Sequence, residues 1–130
     1  MGNIIKVIKD LPDVLTGNGV DESSIFEAEK NLSIEFSEEY KTYLKNFGIA
    51  ACDGHELTGI SKSKRTNVTD VTINNRKRSP HDMSDYYVIE ESGIDDIVVW
   101  QKTNGIIYTT SYDSDVKELY KSLEEYLRNC

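Results

Sequence analysis

Cysteine, histidine and long apolar runs are all scarce in this chain, and each shortage removes a class of protein. The two cysteines, Cys52 and Cys130, fall in a predicted loop and at the last position, so neither a disulfide framework nor a zinc site is expected. A reducing cytoplasm is the simplest home for such a chain. The opening MGNIIKVIKDLP lacks the apolar stretch of a signal peptide, and no window approaches the length of a membrane span. Lys6 stands where a myristoylation signal needs serine or threonine. A soluble, unexported protein without membrane contacts is therefore expected. Basic residues are also few: 15 Lys and Arg face 23 Asp and Glu, a formal net charge of −8. That balance repels phosphate backbones and favours a cationic partner, so direct nucleic-acid binding is not expected. The Gly-x-Ser-x-Gly, phosphate-loop, His-Glu-x-x-His and Cys-x-x-Cys patterns are all missing, which leaves an enzyme as the least supported class and calls for no cofactor.

What is present is helical periodicity. Asp21 is placed to cap a helix in which Ile25, Ala28 and Leu32 recur at helical spacing, ending near residues 31 to 33. Ser37 caps a second helix with Glu38 and Glu39 in its first turn, and Tyr40, Tyr43, Leu44 and Phe47 fall on one face. Gly48 stops it, because glycine enters the left-handed cap without strain. At 130 residues the chain is expected to be a single α+β domain over 1–130, large enough for its own core.

The pattern Ile25-x-x-Ala28-Glu29-x-x-Leu32-x-Ile34-x-Phe36-Ser37-x-x-Tyr40-x-x-Tyr43-Leu44-x-x-Phe47-Gly48 resembles the opening of the SUKH superfamily, the group that contains the Smi/Knr-type domains. Ser37 replaces a proline common in that group, an exchange between two residues that both open helices. Gly48-Ile49-Ala50-Ala51 lacks the usual second glycine. The resemblance implies an antiparallel sheet of about four to six strands with flanking helices, and no residue of the motif is catalytic.

Along the chain, Ile4, Ile5, Ile8 and Leu11 predict a short first helix that ends before Pro12. Residues 49 to 55 read as a glycine-bearing loop and 56 to 60 as a strand. Residues 67 to 77 are strand by propensity but helix by the resemblance, and helix is the choice made here. Tyr86–Glu90, Ile97–Gln101 and Ile106–Thr110 form an antiparallel meander, with Asn104-Gly105 expected to supply a type I′ turn. Asp113 or Ser114 is expected to cap a closing helix over 114–127, with Val116, Leu119, Tyr120, Leu123, Tyr126 and Leu127 as its buried stripe.

Charge is unevenly distributed. Lys62, Lys64, Arg65, Arg76, Lys77 and Arg78 face only Asp70, a local balance of +5, whereas Asp82, Asp85, Glu90, Glu91, Asp95 and Asp96 carry −6 without a base among them. The two segments either pair with each other or leave an acidic hairpin free to steer a basic protein. His55 lies near Cys52, Asp53 and Glu56 in sequence, but it lacks the further ligand that a metal site needs. His81 reads as a turn residue. Candidate partner-binding residues are therefore Asp53, Glu56, Asp82, Asp85, Glu90, Glu91, Asp95 and Asp96. The resemblance implies an immunity protein that neutralises a cognate toxin, with a basic nuclease domain as the expected partner, by stoichiometric occlusion. A non-enzymatic regulatory or scaffold domain is the alternative, and oligomeric state is not readable from the residues.

Overall fold

Polar caps set the helix boundaries. In the computed structural model, which describes residues 3–52, 54–111 and 114–129, the Asp21 carboxylate accepts the Ser24 N–H at 2.9 Å and opens helix α2, Glu22–Leu32. Ser33 closes that helix in the left-handed region, φ 56°. The Ser37 hydroxyl likewise receives the Tyr40 N–H and opens α3, Glu38–Asn46, which ends as expected at a left-handed Gly48. The first helix, α1, is Ile4–Lys9. Residues 67 to 77 resolve as helix: α4 is Val68–Arg78, and its buried Val68, Val71, Thr72 and Asn75 fall at i, i+3, i+4 and i+7. Tertiary burial of that stripe outweighs the strand propensity of its valines and threonines.

Strands β1 (Leu15–Thr16), β2 (Ala50–Cys52) and β3 (His55–Glu56) form one antiparallel sheet, so part of the predicted 49–55 loop is strand. Strands β4 (Tyr87–Glu91), β5 (Val98–Gln101), β6 (Ile107–Thr110) and β7 (Lys117–Tyr120) form a second sheet in that order, also antiparallel. The fold is α+β, with two sheets where one was expected.

Three local expectations are corrected. The closing helix is shorter than 114–127: residues Lys117–Tyr120 pair with β6, and helix α5 spans Leu123–Arg128. Ser122 explains the break. Its hydroxyl accepts the Glu125 N–H at 3.0 Å and starts a new helix there, whereas Asp113 lies outside the described residues. Residues 57–60 are not a strand, because their amides bond three separate segments in turn: Leu57 to Ala50 and Ile60 to Gly48 of one, Thr58 to Ile89 and Gly59 to Thr66. Gly59 is required at this crossing, since a Cβ there would sit 1.8 Å from the Gly48 carbonyl oxygen. Finally, the β5–β6 turn is not type I′. Gly105 alone in it has positive φ, 89°, and its N–H returns to the Lys102 carbonyl, giving a three-residue loop with glycine at the bulge position.

The core gathers α1, α2, α3 and α5 against one face of the second sheet. Phe36 stands edge-on to Tyr40 and Tyr87, with centroids 4.9 and 4.8 Å away. Burial pushes the hydroxyls of Tyr40, Tyr43 and Tyr87 above their ordinary range, so they stay protonated, and each has a partner. Tyr40 bonds the Thr58 hydroxyl, Tyr43 donates to the Thr58 carbonyl, and Tyr87 donates to Gln101 Oε1 at 2.6 Å. The Gln101 amide donates onward to the Gly105 carbonyl and to Glu39. Glu39, in the first turn of α3, accepts the Leu123 and Glu124 N–H groups at 2.7 and 2.9 Å and so caps α5 from outside. Glu124 in turn accepts the N–H of Asn3, at the start of α1. Three helix N-termini are joined by carboxylates.

Candidate protein-binding surface

The eight expected contact residues separate into five groups, one of them Glu56 alone, exposed on β3. Asp53 lies outside the described residues. Asp82 and Asp85 are exposed at the entry to β4; hydrogen bonds from Ser84 hold the Asp82 carboxyl below its usual value. Glu91, Asp95 and Asp96 are exposed at the other end of β4, on the β4–β5 hairpin. The acidic segment is therefore two exposed patches separated by the length of a strand.

Glu90 is the correction among them: it is only 3 % exposed and belongs to the interior. A β-bulge causes this. Pairing runs Val88↔Trp100 and then Glu90↔Val99, so Ile89 is the extra residue and the usual alternation slips by one. Ile89 and Glu90 both face the main core, while Glu91 returns to the α4 side, where Asn75 Nδ2 donates to it at 2.9 Å. The buried carboxylate is satisfied by the Tyr126 hydroxyl, the Glu56 N–H at 3.0 Å and His55 Nδ1 at 3.1 Å from both oxygens. His55 is thus a structural partner of Glu90. Among the described residues, no three His, Cys, Asp or Glu side chains are grouped to hold a metal ion.

The basic segment is likewise divided. Arg65 forms an ion pair with Glu56. Arg76 is a clamp, its guanidinium donating to the carbonyls of Leu32, Met83, Ser84 and Tyr86 at 3.0–3.2 Å. Only the planar five-donor fork of arginine serves four carbonyls at once. Arg76→Lys should therefore lower stability by about 1–3 kcal/mol, as carbonyls lose their donors, measured as a shift of the urea midpoint at unchanged slope. Among the described residues no ion pair within 4 Å joins a base of 62–78 to an acid of 82–96. Arg76 nonetheless interacts electrostatically with Asp82 and Asp85 beyond ion-pair distance, so the two segments offset each other only in part.

Between them lies a cleft of about 380 Å³. Its floor holds Val71, Ile97 and Val98, and its rim holds Arg65 and Arg78 opposite Glu56, Glu91 and Asp96. Three of the expected contact residues thus converge on one concavity, which was not visible in the sequence. Beside it the hairpin tip presents Ile94, 66 % exposed, between Gly93, Asp95 and Asp96, all three with positive φ. The Ser92 hydroxyl bonds the Ile94 N–H and the carbonyls of Ile94 and Ile97, which ties the tip together. Ile94 went unnoticed because a lone apolar residue among acids carries no periodic signal.

A model of the SMI1-KNR4 cell-wall family, SUKH_5, matches residues 1–130. No curated protein matches the chain. Among the described residues no helix is long and apolar enough to cross a membrane.

Proposed function

This chain belongs to the SMI1-KNR4 family of the SUKH group, and from that premise we propose that it is an immunity protein that binds a toxin domain in the cytoplasm and blocks it by stoichiometric occlusion. Domains of this kind are generally non-enzymatic immunity or cell-wall-related proteins. Support for a basic partner, such as a nuclease with a cationic substrate cleft, comes from the exposed carboxylates. Asp82, Asp85, Glu91, Asp95 and Asp96 are unmatched by any base within 4 Å among the described residues, in a chain of net charge −8. Unpaired exposed charges act at long range, and they steer association more than they hold a complex. Glu56, shared with Arg65, contributes less, and Glu90 is left out because it is buried.

The test is co-expression with the toxin encoded beside this protein. Wild type should rescue growth. The triple reversal Glu91→Lys, Asp95→Lys, Asp96→Lys should slow association roughly tenfold or more at low salt, flatten its salt dependence and rescue poorly, while the variant keeps a cooperative thermal transition. Unaltered association kinetics and full rescue at limiting expression would place the interface elsewhere.

A further inference from the structure

The outer face of the second sheet, turned away from the main core, holds a cation over an aromatic pair. Tyr108 is the register partner of Trp100 and shares that face with it, and Tyr86 stands beside them at the entry to β4. The rings of Tyr86 and Tyr108 meet edge to face, with centroids 5.2 Å apart. Lys102, one residue past β5, places its ammonium 5.0 Å from the first centroid and 5.8 Å from the second. Among the described residues it has no carboxylate within 4 Å, so the rings hold it without an ion pair.

An ammonium is the poorer occupant of such a corner. It is compact and strongly hydrated, whereas a guanidinium is flat, weakly hydrated and stacks on aromatic faces. Tyr86, Tyr108 and Lys102 are all half-buried, so the corner opens to solvent. Its surroundings suit a positive charge. Asp85 and Lys102 border one hollow of about 410 Å³, whose other charged residue, Glu35, is paired with Lys41. Arg76 offsets Asp85 in part, but its guanidinium is fixed on four backbone carbonyls. On the far side, exposed Glu118 is the register partner of Tyr108.

We propose that the corner of Tyr86 and Tyr108 is an arginine-binding site for the basic partner protein, the incoming guanidinium displacing Lys102 and lying over the rings with Asp85 as its counter-charge. Lys102 is then a stand-in that covers the rings until the partner arrives. The inference rests on the reading of a basic partner and adds where one of its side chains is recognised. Its test uses no toxin, so either reading can fail without the other.

Titration of the isotope-labelled chain with a Gly-Arg-Gly-Arg-Gly peptide, followed by NMR up to about 10 mM, reaches the range where millimolar contacts become populated. Signals of Tyr86, Lys102 and Tyr108 should shift together and saturate, and the lysine counterpart of the peptide should bind less tightly. Lys102→Ser should tighten binding about two- to fivefold beyond any effect of Lys9→Ser, which removes the same charge from an exposed site on α1. Tyr108→Leu, which keeps apolar cover on the sheet, should weaken it by a similar factor. Equal affinity for the two peptides, shifts confined to the β4–β5 hairpin, or a Lys102→Ser effect no larger than that of Lys9→Ser overturns the inference.

Discussion

Glu90→Ala should cost roughly 3 kcal/mol of folding stability, a large share of what a domain of this size holds in reserve. The carboxylate is almost fully buried and receives the Tyr126 hydroxyl, the Glu56 N–H and His55. Removing it leaves those groups facing a void, and an unmatched buried donor costs more than a hydrogen bond contributes when made. Glu90→Gln keeps the volume and one acceptor oxygen, though its NH2 then faces a donor, so it should lose less than the alanine variant. Urea unfolding of the pair reads the difference. Were Glu90 a solvated hairpin residue, as its neighbours in sequence imply, both variants would fall within about 0.5 kcal/mol of wild type.

Leu44→Ala is expected to be about as severe, at roughly 2–5 kcal/mol, through a different mechanism. Leu44 is fully buried on the inner face of α3, among the side chains of the main core. Truncation removes apolar area from the core and leaves a cavity that its aromatic neighbours cannot fill without leaving their rotamers. Equilibrium unfolding should show a lower midpoint with the slope unchanged. A loss below about 0.5 kcal/mol, the scale of surface changes, would mean that the stripe of α3 had been misassigned.

These two residues also mark where the sequence can and cannot be read. Leu44 lies in a helix whose cap, periodicity and stop are all local, within a dozen residues from Ser37 to Gly48, and each was legible. Glu90 depends on a bulge, which is a relation between two strands and leaves no mark in the composition of either. The closing segment failed for a related reason. Val116, Leu119, Tyr120 and Leu123 fit a helical stripe, yet pairing with β6 claims Lys117–Tyr120 before Ser122 opens the helix. The candidate surface was half legible. Charge runs were plain along the chain, but which members face outward, which are clamped like Arg76 and which border a common cleft are facts of tertiary placement.

The carboxylate links between helix starts bear on how the chain acquires its structure. Glu39 sits in the first turn of α3, and the amides it receives belong to Leu123 and Glu124, more than eighty residues later. Glu124 then reaches back to Asn3. On the ribosome, the early helices can form by their own caps and Gln101 can reach Glu39, but the links from Glu39 to α5 and from α5 to the start of α1 wait until α5 emerges. Closure of the fold thus waits for its last helix, and a nascent chain halted before residue 122 lacks the links that tie the starts of α1 and α3 to each other.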